Sequence, residues 1–228
     1  MKYHSKPIIQ IAGIVDREEA EMALAAGATH LGFPLRLDVH NEDLSETEAA
    51  AIIKNLPDPA AAVLITYLND PEEILGLVDF LGCGTVQLHG NISHKQIKLL
   101  RLSAPALYIW KSLVIRKDNL PELQQILRQA ESLVDAFITD TWDPATGASG
   151  ATGKTHDWKV SQKLTGMTSK PVILAGGLNP ENVAEAIKTV RPAGVDAHTG
   201  LEMENGRKDP ELVRKFIENA KEAFGLKS

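Results

Sequence analysis

The sequence predicts an α/β chain folded as a (β/α)8 barrel, and three observations carry that expectation. Short runs rich in Val, Ile, Leu and aromatics alternate with amphipathic stretches from one end to the other. Eight such runs share 228 residues, which leaves about 28 per repeat, close to the ~30 of one β-α-β step. The runs lack clean polar alternation, as expected of parallel strands covered on both faces. The length is somewhat under the ~250 residues typical of such barrels. A doubly wound sheet is the structural alternative. Its dinucleotide-binding form has no support, because the first turn reads Ala12-Gly13-Ile14-Val15 and not Gly-x-Gly-x-x-Gly. No linker, low-complexity stretch or composition shift interrupts the pattern, so a single domain over residues 1–228 is expected.

The elements follow in order. Strands are expected at Pro7–Ile11, Thr29–Phe33, Ala62–Tyr67, Thr85–Leu88, Ala106–Lys111, Ala136–Thr139, Pro171–Leu174 and Gly194–Asp196. Between them, Asp16 with Glu19 and Ser45 with Glu48 have capping-box spacing: a short oxygen side chain caps a backbone N–H and the carboxylate reaches back. Asp70-Pro71, Asn179-Pro180 and Asp209-Pro210 each put a capping side chain before a proline suited to the first helical position. Gly27, Gly82 and Gly225 stand where helices should end.

Composition narrows the function. Hydrophobic residues at 43% and charged residues at 24% are too apolar a mix for a disordered chain. The single cysteine, Cys83, excludes an intramolecular disulfide and a cysteine-held metal centre; it precedes the fourth strand, where a packing role is expected. A net charge of −6 without a basic block argues against nucleic acid as a partner. The chain turns polar at Asp16 before any signal-peptide pattern develops, and no apolar run reaches the ~18 residues of a membrane span. The expectation is a cytoplasmic protein without a membrane partner, as a monomer or homodimer.

A barrel builds its active site from strand C-termini and the loops that follow. Those positions hold Ala12, the loop Pro34–Asn41, Asn69, His89, Lys111, Asp140, Gly176-Gly177 and Asp196–Gly200. Adjacent glycines let backbone N–H groups approach an anion, and a helix N-terminus adds partial positive charge, so phosphate is the expected occupant of the last two loops. The alternative is that Gly176-Gly177 merely turns the chain.

The residues of these loops carry a family resemblance. Val86-Gln87-Leu88-His89-Gly90, the stretch Gly150–Trp158, Leu174–Asn182 with Arg191–Asp196, and the tail from Asn205-Gly206-Arg207-Lys208-Asp209 to Phe216-Ile217 resemble phosphoribosylanthranilate isomerase. The resemblance covers nearly the whole chain. It implies a (β/α)8 barrel of tryptophan biosynthesis that performs an Amadori rearrangement, opening an aminoaldose phosphate and moving a proton to give an aminoketose phosphate. It implies Asp140 as the acid that protonates the ring oxygen, Gly153, Gly176 and Gly177 as phosphate-binding residues, and Asp196 as a substrate contact.

The family's general base is a cysteine in a Lys-Ile-Cys-Gly-like motif, where this chain reads Gln10-Ile11-Ala12-Gly13. The family's Ser-Ser-Gly after the eighth strand is His198-Thr199-Gly200, so Thr199 and Gly200 join the expected phosphate set. The family's basic second loop is acidic here, Asp38-Val39-His40-Asn41-Glu42-Asp43, with Arg36 as the candidate substrate-binding arginine, out of the family's register. The loop from Asp140 to Gly150 is also longer than the family's.

His198 is suited to replace the missing base, since an imidazole with pKa near ~6.5 transfers protons at neutral pH. Binding the phosphate is its other reading. Asp38/His40 and Asp196/His198 form two Asp-x-His pairs whose mixed ligands would suit zinc or another divalent metal. The preferred expectation is no metal and no cofactor, and a phosphorylated small molecule as substrate. His89 is expected to shape the fourth turn, Lys111 to be structural rather than a Schiff-base lysine, and Lys154 to brace its loop. Trp142 either covers bound ligand or lies at the solvent edge. Two alternatives stay open: a diverged phosphosugar isomerase, epimerase or lyase, metal-assisted if the Asp-x-His pairs hold an ion, and a catalytically silent phosphate-binding barrel.

Overall fold

The computed structural model describes residues 6–38, 42–58, 61–142, 153 and 155–226. Eight parallel strands close on themselves in chain order. They are β1 (Ile8–Ala12), β2 (His30–Pro34), β3 (Ala62–Thr66), β4 (Thr85–Leu88), β5 (Tyr108–Ile115), β6 (Ala136–Thr141), β7 (Val172–Leu174) and β8 (Gly194–Ala197). The pairing of Ile11 with Ala197 shuts the barrel between β1 and β8. Each strand leads into a helix: α1 (Arg17–Ala26), α2 (Glu46–Lys54), α3 (Pro71–Leu81), α4 (His94–Ser103), α5 (Leu120–Ala130), α6 (Trp158–Thr165), α7 (Val183–Val190) and α8 (Pro210–Ala223).

Both faces of every strand are covered, which is why the strands read as continuous apolar runs. Alternate residues such as Ile9, Ile11, Leu64, Val86, Phe137 and Val195 pack outward against the helices. Their neighbours Ile8, Ala12, Val63, Ile65, Trp110, Ile138 and Ile173 fill the barrel itself. The interior turns polar toward one end, where Gln10, Gln87, Ser112, Asp140 and Asp196 are buried. That polar end is the C-terminal end of the strands.

Most cap signals act as expected. Ser45 and Glu48 form a full capping box on α2. Asp70 and Asp209 accept first-turn N–H bonds ahead of Pro71 and Pro210. Gly27 and Gly82 end α1 and α3 in the left-handed region at φ 104° and 71°. Asp16 caps α1, but Glu19 reaches the Val15 N–H at 3.3 Å instead of closing a box on Asp16. Ser93 with Gln96 closes a capping box on α4 that the sequence reading passed over.

Two boundaries differ from expectation. Asn179 does not start a helix: its side chain accepts from the N–H groups of Glu181 and Asn182, both at 3.0 Å, and α7 begins only at Val183. An Asn side chain bonded to its own chain two or three residues on makes a turn as readily as a cap. β5 also runs four residues beyond Lys111, to Ile115, because Ser112–Ile115 pair with Ile138–Thr141 of a longer β6. Among the described residues no helix is long and apolar enough to cross a membrane.

Candidate active site

A cavity of about 310 Å³ opens at the polar end of the barrel, lined by the ends of β1, β3, β4, β6 and β8 and by the loops after β2, β7 and β8. Ala12, Asp140, Gly176, Gly177, Asp196, His198, Thr199 and Gly200 all face it. Gly153 joins them from the sixth loop, since a β-carbon there would lie 3.6 Å from Thr199 Oγ1. Residues spread over the sequence from 12 to 200 thus meet in one place.

Asp140 stands one residue before the end of β6, with its carboxyl group turned into the barrel. Burial raises its pKa, against the Thr141 N–H that donates to Oδ1 at 2.7 Å, and the nearby Asp196 charge adds to the rise; it settles at about 7. Asp196 is likewise pushed up by burial, to about 6, although Gln10 Nε2 donates to its Oδ1 at 2.9 Å. With its pKa raised to about 7 chiefly by burial, Asp140 can hold a proton near neutral pH and serve as an acid.

A chain of polar side chains crosses the barrel floor beneath them. Gln10 Nε2 lies 3.4 Å from Gln87 Oε1, Gln87 Nε2 donates to Ser112 Oγ at 3.3 Å, and Ser112 Oγ lies 3.0 Å from His89 Nδ1. His89 Nδ1 is 4.0 Å from Asp140 Oδ2, beyond a direct hydrogen bond. The imidazole instead packs on the Tyr67 ring, centroids 4.9 Å apart. His89 therefore does more than shape a turn, since its ring forms part of the cavity wall beside Asp140. Its neighbours Gln87 and Ser112 were not singled out from the sequence. The period of two that puts residues 87 and 89 on one face of β4 is the signal that could have found Gln87.

At the other side of the cavity, His198 lies directly over Gly13. A β-carbon on residue 13 would come within 2.0 Å of His198 Nε2, and Gly13 also has φ 73°, so only glycine leaves room for the ring. The adjacent Ala12 leaves a methyl group where the resembling family has its thiol. His198 Nε2 is 3.1 Å from Glu202 Oε1, and Lys208 Nζ meets the same oxygen at 2.7 Å. Burial works to raise the Glu202 carboxyl, but the bonds from His198 and Lys208 outweigh it and hold it at about 2. Glu202 and Lys208 were missed from the sequence, where only the four-residue spacing from His198 hints at the first.

The loop after β7 combines close backbone approach with N–H groups that no hydrogen bond among the described residues uses. Gly176 and Gly177 have φ 95° and 65°, and a β-carbon on Gly176 would lie 2.2 Å from Thr141 Oγ1. Asn182 Nδ2 donates to the Gly177 carbonyl at 2.9 Å, which turns that carbonyl away from an incoming anion. Among the described residues no hydrogen bond uses the N–H groups of Gly176 and Gly177. No Lys or Arg lines the cavity among the described residues. Backbone N–H groups, the His89 and His198 imidazoles, the Tyr67 and Thr199 hydroxyls and the Gln87 amide are donors among its lining residues.

Other predicted positions lie elsewhere. Arg36, with φ 56°, pairs its guanidinium with Glu46 and lines a separate outer groove with Glu73 and Phe80. Lys111 is not at a strand end: it is buried mid-strand, and Nζ donates to the carbonyls of Leu88, Gly90 and Ser112, each at 3.1 Å. Burial lowers its pKa to about 8. Trp142 is half-buried, its ring 5.8 Å from the Arg116 guanidinium. Cys83 is buried in the core, its thiol pushed up to about 11 by that burial. His40 and Lys154 lie outside the described residues. Among the described residues no group of three or more His, Cys, Asp or Glu side chains is arranged to hold a metal.

Comparison with known proteins agrees with this geometry. The family model for N-(5'-phosphoribosyl)anthranilate isomerase matches residues 9–219. The N-(5'-phosphoribosyl)anthranilate isomerase 2 of Methanosarcina mazei is 41% identical over 217 residues, covering 95% of each chain. The crystal structure of phosphoribosyl anthranilate isomerase from Thermotoga maritima superimposes with a TM-score of 0.80 at 29% identity, over 95% of this chain and 99% of that one. A further structure of such an isomerase, bound to reduced 1-(o-carboxyphenylamino)-1-deoxyribulose 5-phosphate, gives a TM-score of 0.78 at 26% identity, with 95% and 99% covered. With eight parallel strands closed in chain order and the family model matched over residues 9–219, the chain belongs to the N-(5'-phosphoribosyl)anthranilate isomerase family.

Proposed function

We propose that this barrel isomerises N-(5'-phosphoribosyl)anthranilate to the corresponding 1-amino-1-deoxyribulose 5-phosphate, with Asp140 as acid and His198 as base. Family membership over nearly the whole chain supports the reaction class. The phosphate is held by the N–H groups of Gly176, Gly177 and Gly200, with Gly153 and Thr199 closing over it. That end of the substrate supplies binding energy without taking part in chemistry.

At the reacting end, the Asp140 carboxyl group gives its proton to the ring oxygen. The bond from C1 to that oxygen breaks and an iminium forms between C1 and the aryl nitrogen. A base then takes the proton from C2, the electron pair moves toward the iminium, and the enolamine relaxes to the ketone with a proton returned at C1. Asp196 contacts the substrate between the two groups, and its own raised pKa limits the negative charge that meets a substrate bearing phosphate and carboxylate. The substrate is the partner in this reading, and the protein works as a monomer or homodimer in the cytoplasm without metal or cofactor.

The single observation that carries the assignment of the base is the His198 ring seated over Gly13, beside the position where Ala12 has replaced the family's thiol. The test is turnover of freshly prepared substrate by the native chain, Asp140→Asn and His198→Asn. Loss of an acid or base in the transition state lowers kcat by about 10²–10⁴. Native-like rates in Asp140→Asn would overturn the acid, and native-like rates in His198→Asn would overturn the base.

A further inference from the structure

A buried cation stands behind the turn that carries His89. β4 ends at Leu88 while β5 runs on to Ile115, and Leu88 with Lys111 is the last pair of the ladder between them. Where the strands part, Lys111 Nζ donates to the carbonyls of Leu88, Gly90 and Ser112, each at 3.1 Å. An ammonium has three N–H donors and no acceptor, so this one is fully used. Burial is what acts on its charge, with no carboxylate among the described residues to offset it. An apolar side chain would fill the same space without desolvating a charge, so the ammonium is there for the carbonyls it holds.

Those three carbonyls bracket one side chain. Leu88 and Gly90 flank His89 in the chain, and Ser112 holds its ring, with Oγ 3.0 Å from Nδ1. The His89 N–H donates to the Thr66 carbonyl at 2.9 Å, and the ring packs on Tyr67 with centroids 4.9 Å apart. The turn has no slack at Gly90, where a β-carbon would lie 2.5 Å from the Tyr67 carbonyl oxygen. The ring so held stands with Nδ1 4.0 Å from Asp140 Oδ2, and both residues are buried. Among the described residues, Asp196 from β8 and Tyr67 after β3 are the other ionisable groups that act on or feel Asp140, and the Thr141 N–H donates to it from its own strand. A carboxyl group keeps its proton up to neutral pH only while water is kept from it.

We propose that Lys111 is a positioning residue for the acid: by holding the carbonyls on both sides of His89 and that of Ser112, it keeps the imidazole packed beside Asp140 and water away from that carboxyl group. Its part in turnover rests on Asp140 being the acid; the packing does not. Without the ammonium, the three carbonyls lose a shared donor, the turn moves away from β5, and the ring leaves Asp140 open to water. The sign of the effect is diagnostic. Water admitted to Asp140 favours the carboxylate and lowers its proton affinity, whereas loss of a nearby cation by itself raises it.

The experiment is a 13C NMR titration of the aspartate carboxyl groups in the full-length chain, with the Asp140 signal identified by its loss in Asp140→Asn. The native group is expected to titrate near pH 7. Lys111→Met is expected to lower its proton affinity about 10-fold or more, and His89→Ala to lower it in the same direction. Lys111→Arg, which keeps charge and N–H donors at that place, is expected to recover part of the loss. In steady-state kinetics the alkaline limb of kcat is expected to move to lower pH in step with the titration. A native or raised proton affinity in Lys111→Met would overturn the proposal. So would a native value in His89→Ala, whether or not Lys111→Met folds. Titrations that shift as expected in a chain without turnover would overturn Asp140 as acid and leave the packing role standing.

Discussion

Burial gives Asp140 its proton at neutral pH and also makes it a burden on the fold. Its pKa rises from 3.8 to about 7 chiefly because the ionised form is desolvated. Across that window the native chain keeps a proton that the unfolded chain has released. Stability therefore falls as pH rises from about 4 to about 7, and the loss is complete above that. Asparagine at the same place carries no charge and still accepts the Thr141 N–H. Asp140→Asn is expected to stabilise the protein by on the order of 2–4 kcal/mol at pH 8 and by little at pH 4, while removing activity. Denaturant melts at the two pH values check this, and equal gains at both would refute the assignment of cause. Ala12 shows the opposite limit: a methyl group has no chemistry to offer, so its significance lies in what stands nearby.

Among the elements, the turn from β7 into α7 is where we propose the phosphate binds, and its backbone geometry admits little change. Gly176→Ala places a β-carbon 2.2 Å from Thr141 Oγ1 at φ 95°. Strain of this kind costs about 1–3 kcal/mol. The variant is expected to lose that much stability and to raise the inhibition constant for inorganic phosphate, measured by thermal melts and competition. Unchanged values in both would remove Gly176 from the site. The same turn shows how far a motif can be read. Gly176-Gly177 was legible as a close-approach turn at the cavity because adjacent glycines reach φ 95° and 65° without strain, whereas Asn179-Pro180 does not start a helix because turns and caps share one side-chain chemistry. Lys111 was placed at a strand end for a related reason: nothing local in Ser112–Ile115 reveals that β6 extends to pair with it.

In the molecule as a whole, the barrel turns eight short local signals into one site. The apolar runs made the strands legible, and the order of strands followed from repetition. Asp140, Gly176 and Asp196 were legible because a barrel gathers its strand ends. Contacts across that end were not. The seating of His198 on Gly13 and the Gln10–Gln87–Ser112 chain depend on the closed barrel and on side chains far apart in sequence. Arg36 shows the converse, an arginine next to the right loop whose left-handed backbone and Glu46 partner keep it outside the cavity. Because the loops after β6, β7 and β8 come from three successive β/α units, the phosphate proposed to bind there is expected to brace that side of the barrel. Inorganic phosphate at about 100 times its Kd is expected to add about 2.7 kcal/mol of stability, or roughly 5–10 °C in Tm for a chain of this size. No shift with phosphate would argue against the site.

The proton shift is expected to survive the replacement of the family's cysteine by Ala12. Its most direct measurement is turnover of freshly prepared N-(5'-phosphoribosyl)anthranilate by the native chain beside Ala12→Cys. Turnover is expected in the native chain, with Ala12→Cys adding to a rate already present. A native chain with no turnover, and activity that appears only when Cys replaces Ala12, would contradict it.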